Sequence, residues 1–174
     1  MTRLNLQNIL TRLSNSLDRD EIVQETLSDL RLQLDADRVV LYYFYRPWEG
    51  QVTFEALRDR SLSIFGCTGP DECFNGEYAT LYLEGRVRAV GDIETAAIEA
   101  CHRDFLRSLN VRANLAVPII ISPEDADRNK QLWGLAIAHQ CYNTREWSVE
   151  NVAAMQKGAA RLANSEAICQ SSIR

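Results

Sequence analysis

Residues 131–141 read QLWGLAIAHQC, an apolar run that closes on a histidine, and residues 111–121, VRANLAVPIII, form a second such run. Both are strong strand signals, and Pro118 inside the earlier one points to an edge position or a bulge there. The polar stretch between them, SPEDADRNK, is a loop. Upstream, residues 38–46 (RVVLYYFYR) are β-branched and aromatic and too short for a typical helix. A turn at Pro47-Trp48-Glu49-Gly50 leads into QVTFEALR, where Val52, Phe54 and Ala56 alternate, so this pair is a hairpin.

The flanks have helical spacing. Leu4, Leu6, Ile9, Leu10, Leu13 and Leu17 form one run, and Ile22, Val23, Thr26, Leu27, Leu30 and Leu34 form a second after Asp18. Between Asp59 and Gly76 the pattern breaks down, with Gly66, Gly69, Pro70 and Gly76 spread through it; a loop this long in a compact domain is more often functional than idle. A short helix over 77–83 and a strand RVRAV (86–90) follow. Asp92 is then expected to begin a helix in which Ile93, Ala97, Cys101 and Phe105 recur every four residues, placing Cys101 on an apolar stripe. A long helix after Trp147 closes the chain, with Val152, Met155, Ala159, Leu162 and Cys169 near a seven-residue repeat. The order implies an α+β fold, a central antiparallel sheet flanked by helices. The near-heptad stripe admits a homodimeric helical connection, and a closing helix that runs on would make residues 1–174 one module of a longer chain.

Composition narrows the function classes. The chain has 174 residues, 46% of them hydrophobic, enough to bury a core without disulfide or zinc staples. Its net charge of -5, with arginines scattered singly, lacks the clustered positive face that nucleic acid requires. No apolar stretch approaches the roughly 20 residues of a membrane span. Five cysteines, an odd number with no export signal, fit free thiols in a reducing, cytoplasmic setting.

Four constellations carry potential chemistry. Cys101-His102 reads either as core filler or as a thiol and an imidazole facing one cavity; neighbours on a helix diverge by about 100°, so they are no protease pair. Asp71-Glu72-Cys73-Phe74 reads as turn chemistry or as a loop thiol beside an anchoring aromatic, with Cys67 as the alternative thiol. Its two acidic neighbours oppose a standing thiolate at Cys73. His139-Gln140-Cys141 ends a buried strand and suits a pocket lining better than zinc, since no C-x-x-C spacing accompanies it. Arg86 and Arg88, with Tyr82 before them, are either solvated charges or partners for a ligand carboxylate.

Together, Asp-Glu-Cys-Phe in a loop, Cys-His on a helix and LWGLAIAHQC on a strand resemble the bilin-binding GAF domains of cyanobacteriochromes, members of the phytochrome superfamily. Within them the chain looks like the two-cysteine subgroup with an Asp-x-Cys-Phe motif. The resemblance spans nearly the whole chain, with Cys73 and Cys101 separated by 28 positions. It implies a linear tetrapyrrole, phycocyanobilin or phycoviolobilin, in thioether linkage to Cys101 and attached autocatalytically, with no other enzymatic activity. His102 would pack beneath the pyrroles and Asp71 would accept from pyrrole nitrogens. Cys73 would add reversibly to the central methine, with Phe74 beside it, and His139 would lie near the D ring. Tyr82 and Arg86 are the candidates for the propionates. The implied switch runs between a violet or blue state and a green to red one, signalling to an output domain through the closing helix. A competing reading is a thiol-based GAF enzyme similar to the free methionine sulfoxide reductases, with Cys67, Cys73 and Cys101 as its thiols. A cyclic-nucleotide sensor is disfavoured by the absence of a phosphate-cradling loop.

Overall fold

A computed structural model describes residues 3–46, 49–69, 76–122 and 129–172, with no burial assigned for 76–79. Five antiparallel strands lie in the order β2-β1-β5-β4-β3, with β1 Arg38–Arg46, β2 Glu49–Leu57, β3 Arg88–Val90, β4 Ala113–Ile121 and β5 Gln131–Gln140. The helices are α1 Arg3–Leu17, α2 Glu21–Gln33, α3 Gly76–Leu83, α4 Ala100–Ser108, α5 Val149–Ala163 and α6 Glu166–Ser171. This is the expected α+β arrangement.

Strand alternation sorts the apolar side chains into two layers. Val39 and Leu41 of β1, Leu115 and Val117 of β4, and Ala136 and Ala138 of β5 face α1, α2, α5 and α6, where they pack with Leu17, Leu27, Met155, Leu162 and Ile168 into the main core. The intervening residues Val40, Tyr42 and Leu135 face the other way, toward Ile64 and Tyr82. Trp133 breaks the alternation. The β4–β5 register passes from Ile119↔Gly134 to Ile120↔Leu132, so Trp133 is the extra residue of a bulge and turns to the helical side. There its indole Nε1 donates to Ser171 Oγ of α6 at 2.7 Å.

Pro118 sits where a proline is tolerated. β3 pairs only with Asn114–Ala116, so among the described residues β4 has no strand partner on that side at Pro118. Asn164 and Ser165 divide the expected single closing helix in two; Ser165 accepts from Ile168 N as the N-cap of α6. The Asp92 expectation is also corrected. Residues 92–99 form turns, in which Asp92 Oδ1 accepts from Glu94 N and the Arg103 guanidinium donates to the carbonyls of Ile93 and Ala96, both at 2.8 Å. With its carbonyls engaged there, this stretch joins no helix until Ala100. Arg86 lies before β3 rather than within it.

Candidate functional site

The sheet face away from the main core floors an apolar pocket. Val40, Tyr42, Asn114, Ala116, Leu135, Ile137 and His139 line it from three strands, and His102, Phe105, Leu106 and Leu109 close over it from α4 and its end, with Tyr82 alongside. Two sequence-separated histidines thus meet in one cavity. His102 is half-buried, and burial, with the Arg88 charge adding to it, lowers its pKa to about 4. His139 is 3% exposed, and burial followed by the Arg38 charge holds it well below the usual imidazole value. Both rings are neutral at pH 7.

The row beneath them is built from strand register. Arg38 of β1 pairs with His139 of β5, which pairs with Asn114 of β4. Arg38 is 1% exposed and donates from Nε to His139 Nδ1 (2.9 Å), from Nη1 to Leu62 O (2.8 Å) and from Nη2 to Leu109 O (2.6 Å). Those bonds tie the strand to the segment after β2 and to the end of α4. Tyr42 makes a second tie, donating to Gly50 O and accepting from Gly69 N. Val52 N donates to Cys67 O, so the segment through Thr68 lies along β2. Cys67 is a free, half-buried thiol packed on the pocket cluster.

Cys101 occupies the first turn of α4, one residue before the pocket-lining His102. Two expectations about it are corrected. It is exposed rather than on an apolar stripe, because Leu106 is the buried residue of this helix. It is also disulfide-bonded, whereas Cys67, Cys141 and Cys169 are the free thiols among the described residues. Leu106 and Leu109 lie beside His102 in the pocket lining. Tyr82 is buried in the pocket wall and Arg86 is half-buried after α3. Asp71, Cys73 and Phe74 lie outside the described residues. Cys141 is buried just past β5, where burial raises its thiol pKa, and no metal-binding group of His, Cys, Asp and Glu occurs among the described residues.

Arg38 and Asn114 are the functional candidates that reading the sequence missed. Their signal was a polar residue inside an otherwise apolar strand, which a buried position tolerates only with a partner. The cavity holds about 50 Å³, well short of the roughly 300–1,000 Å³ of sites for drug-sized ligands.

The GAF domain family model matches residues 18–165. Over 91% of its length the chain is 44% identical to an uncharacterized protein of Picosynechococcus, of which it covers 93%. It is 33% identical over 82% of its length to a putative methyl-accepting chemotaxis protein of Synechocystis, covering 14% of that protein. Among solved structures, cyanobacteriochrome receptor PixJ aligns at 33% identity over 84% of this chain and 93% of that one, with a TM-score of 0.72. The blue-light absorbing form of the Thermosynechococcus elongatus PixJ GAF domain aligns at 31% identity over 90% of each chain, with a TM-score of 0.71. A phycocyanobilin-bound GAF domain from a cyanobacterial phytochrome aligns at 26% over 99% of this chain and 98% of that one, with a TM-score of 0.70. The characterised proteins among these are receptors and photoreceptors rather than thiol enzymes. By sequence, fold and pocket, the chain belongs to the GAF domain family, and its relatives within it are the cyanobacteriochromes.

Proposed function

We propose that this domain is a photoreceptor module that holds a linear tetrapyrrole, phycocyanobilin or phycoviolobilin, through a thioether at Cys101. The observation that carries the reading is Cys101 on the first turn of α4, next to a His102 that shares one apolar pocket with His139. A flat, conjugated, largely apolar ligand with a few N–H and C=O groups suits that lining. It has apolar walls, two neutral imidazoles and a buried Asn114 oxygen without a partner. When bound, such a chromophore supplies a light-driven double-bond isomerisation.

The chain's own groups do the rest. His102 packs against the ring system, His139 offers a hydrogen bond at its far end, and Tyr82 and Arg86 hold the acidic side chains. Asp71 accepts from ring nitrogens, and Cys73, beside Phe74, is the second, reversible thiol that separates a violet or blue state from a green to red one. The Cys101 sulfur attacks as a thiol, so attachment follows only after an external thiol reductant has opened its disulfide and is itself oxidised. Proximity alone then makes attachment autocatalytic. The chemotaxis relative, of which this chain matches 14%, supports a module of a longer receptor with its output beyond α6.

The test is co-production with phycocyanobilin under reductant, followed by zinc-dependent fluorescence of the denatured chain. Wild type fluoresces and Cys101→Ala does not. Cys73→Ala keeps the covalent pigment and loses the short-wavelength state. Fluorescence that survives Cys101→Ala refutes the attachment site, and a short-wavelength band that survives Cys73→Ala transfers the second role to Cys67.

A further inference from the structure

Cys101 and His102 share the first turn of α4, and that turn has no side-chain cap. Asp20, Ser148 and Ser165 cap α2, α5 and α6 with a side-chain oxygen, whereas Glu99 at the head of α4 makes no such bond and no acidic residue stands in the first turn. Arg103 fastens the start of the helix from inside it instead. Its Nε donates to Ile93 O and its Nη2 to Ala96 O, both at 2.8 Å. Ile93 is a firm anchor: it is 1% exposed, packs with Val90, Leu106 and Val111, and donates its backbone N–H to Arg112 O. Arg103 and Leu106 are three residues apart, so both lie on the face of α4 that is held down. Successive residues of a helix turn by about 100°, so with Arg103 pinned, His102 stands one step round in the pocket lining and Cys101 two steps round, exposed.

We infer that Arg103 is the positioning residue for pigment attachment: by tying the Ile93–Ala96 turns to the head of α4 it fixes the roll at which the Cys101 sulfur is presented, a role that rests on the tetrapyrrole reading. In the attachment step the reduced Cys101 thiol adds across an electron-poor carbon–carbon double bond of the tetrapyrrole. One S–C bond forms, the thiol proton passes to the pigment, and nothing leaves or is oxidised. With no separate base in the reading, the rate of that step is set by geometry, and a misplacement of about 1 Å costs on the order of 100-fold. Arg107 supplies an internal contrast. It also reaches the turns before α4, through Glu94, but as an exposed ion pair of the kind that contributes little.

The experiment mixes reduced, pigment-free protein with increasing phycocyanobilin and follows zinc-dependent fluorescence of the denatured chain over time, which separates the limiting attachment rate from the half-saturating pigment concentration. Arg103→Met is expected to lower the limiting rate about 10- to 100-fold and to leave the half-saturating concentration within about threefold, because the pocket walls are kept. Arg103→Lys, which offers a single ammonium in place of the planar fork, lies between the two, and Arg107→Met attaches within about twofold of wild type. Without pigment, the amide of residue 103, which donates to Glu99 O, exchanges about tenfold faster in Arg103→Met. A limiting rate in Arg103→Met within about twofold of wild type overturns the inference, as does an equal loss in Arg107→Met or a loss that appears only in the half-saturating concentration. If Arg103→Met fails to fold, Arg103→Lys decides: a limiting rate lower by about fivefold or more supports the role, and an unchanged rate refutes it. Wild type that forms no covalent pigment defeats the tetrapyrrole reading itself, whereas wild type that loads while Arg103→Met keeps pace defeats the positioning role alone.

Discussion

Replacing Arg38 by methionine tests whether the polar row holds the pocket together. The guanidinium is 1% exposed and makes three hydrogen bonds, to His139 Nδ1, Leu62 O and Leu109 O. Its own pKa is lowered, chiefly by burial, so the folded state bears a cost for keeping it charged there. Methionine fills similar volume and removes that cost, yet strands two buried acceptors, each worth about 1–3 kcal/mol when unsatisfied, and a third, Leu109 O, that is only partly buried. Since relief of the buried charge offsets part of this, the net loss is about 2–4 kcal/mol. In a domain of this size that lowers Tm by roughly 5–15 °C. Urea unfolding reads the free energy, and ¹⁵N spectra of the imidazole read the tautomer of His139, which loses its fixed Nε2–H form. A variant within about 0.5 kcal/mol of wild type, with the His139 tautomer unchanged, refutes the argument.

Three further outcomes follow from the same structure. Both pocket histidines stay neutral when folded but titrate near pH 6.5 when unfolded, so the unfolded chain binds more protons below that pH and stability falls as pH drops. Between pH 7 and pH 5 the pair costs roughly 2–4 kcal/mol, and His102→Gln reduces the slope; a flat stability profile across that window contradicts the neutral assignment. A Cβ at Gly134 would run into the backbone carbonyl oxygen of Tyr42, which cannot swing aside, so Gly134→Ala is expected to destabilise by more than about 3 kcal/mol, and a near-neutral unfolding curve rules this out. Trp133→Phe removes the donor to Ser171 Oγ and is expected to speed amide exchange across α6 while costing about 1 kcal/mol; unchanged exchange at Ile168 and Cys169 shows that the bond does not anchor the helix.

How much was legible in the sequence depended on whether the cause was local. The apolar run ending at His139 reflects burial of both sheet faces, so the long strands were readable, whereas the alternation of Val52 and Phe54 located the hairpin but not its faces, because a bulge at Thr53 sends Val52 to the pocket side and Phe54 to the main core. Ile93, Ala97, Cys101 and Phe105 repeat at four residues, which imitates a helix; Arg103 engages the carbonyls before Ala100, and that bond pattern has no signature in spacing. The Asn164-Ser165 break is a capping signal that the near-heptad stripe masked. His102 and His139 stood out as imidazoles in apolar settings. Arg38 and Asn114 did not, because their meaning arises from pairing across strands, Arg38 with a residue 101 positions away.

The central claim, that this pocket takes up a tetrapyrrole and switches with light, is tested most directly by one absorption measurement. The reduced protein is co-produced with phycocyanobilin and its spectrum taken before and after illumination at the longest-wavelength band. The account predicts a covalently coloured protein that converts reversibly between a violet or blue band and a green to red one. A colourless protein, or a pigment that denaturation releases and light leaves unchanged, contradicts it.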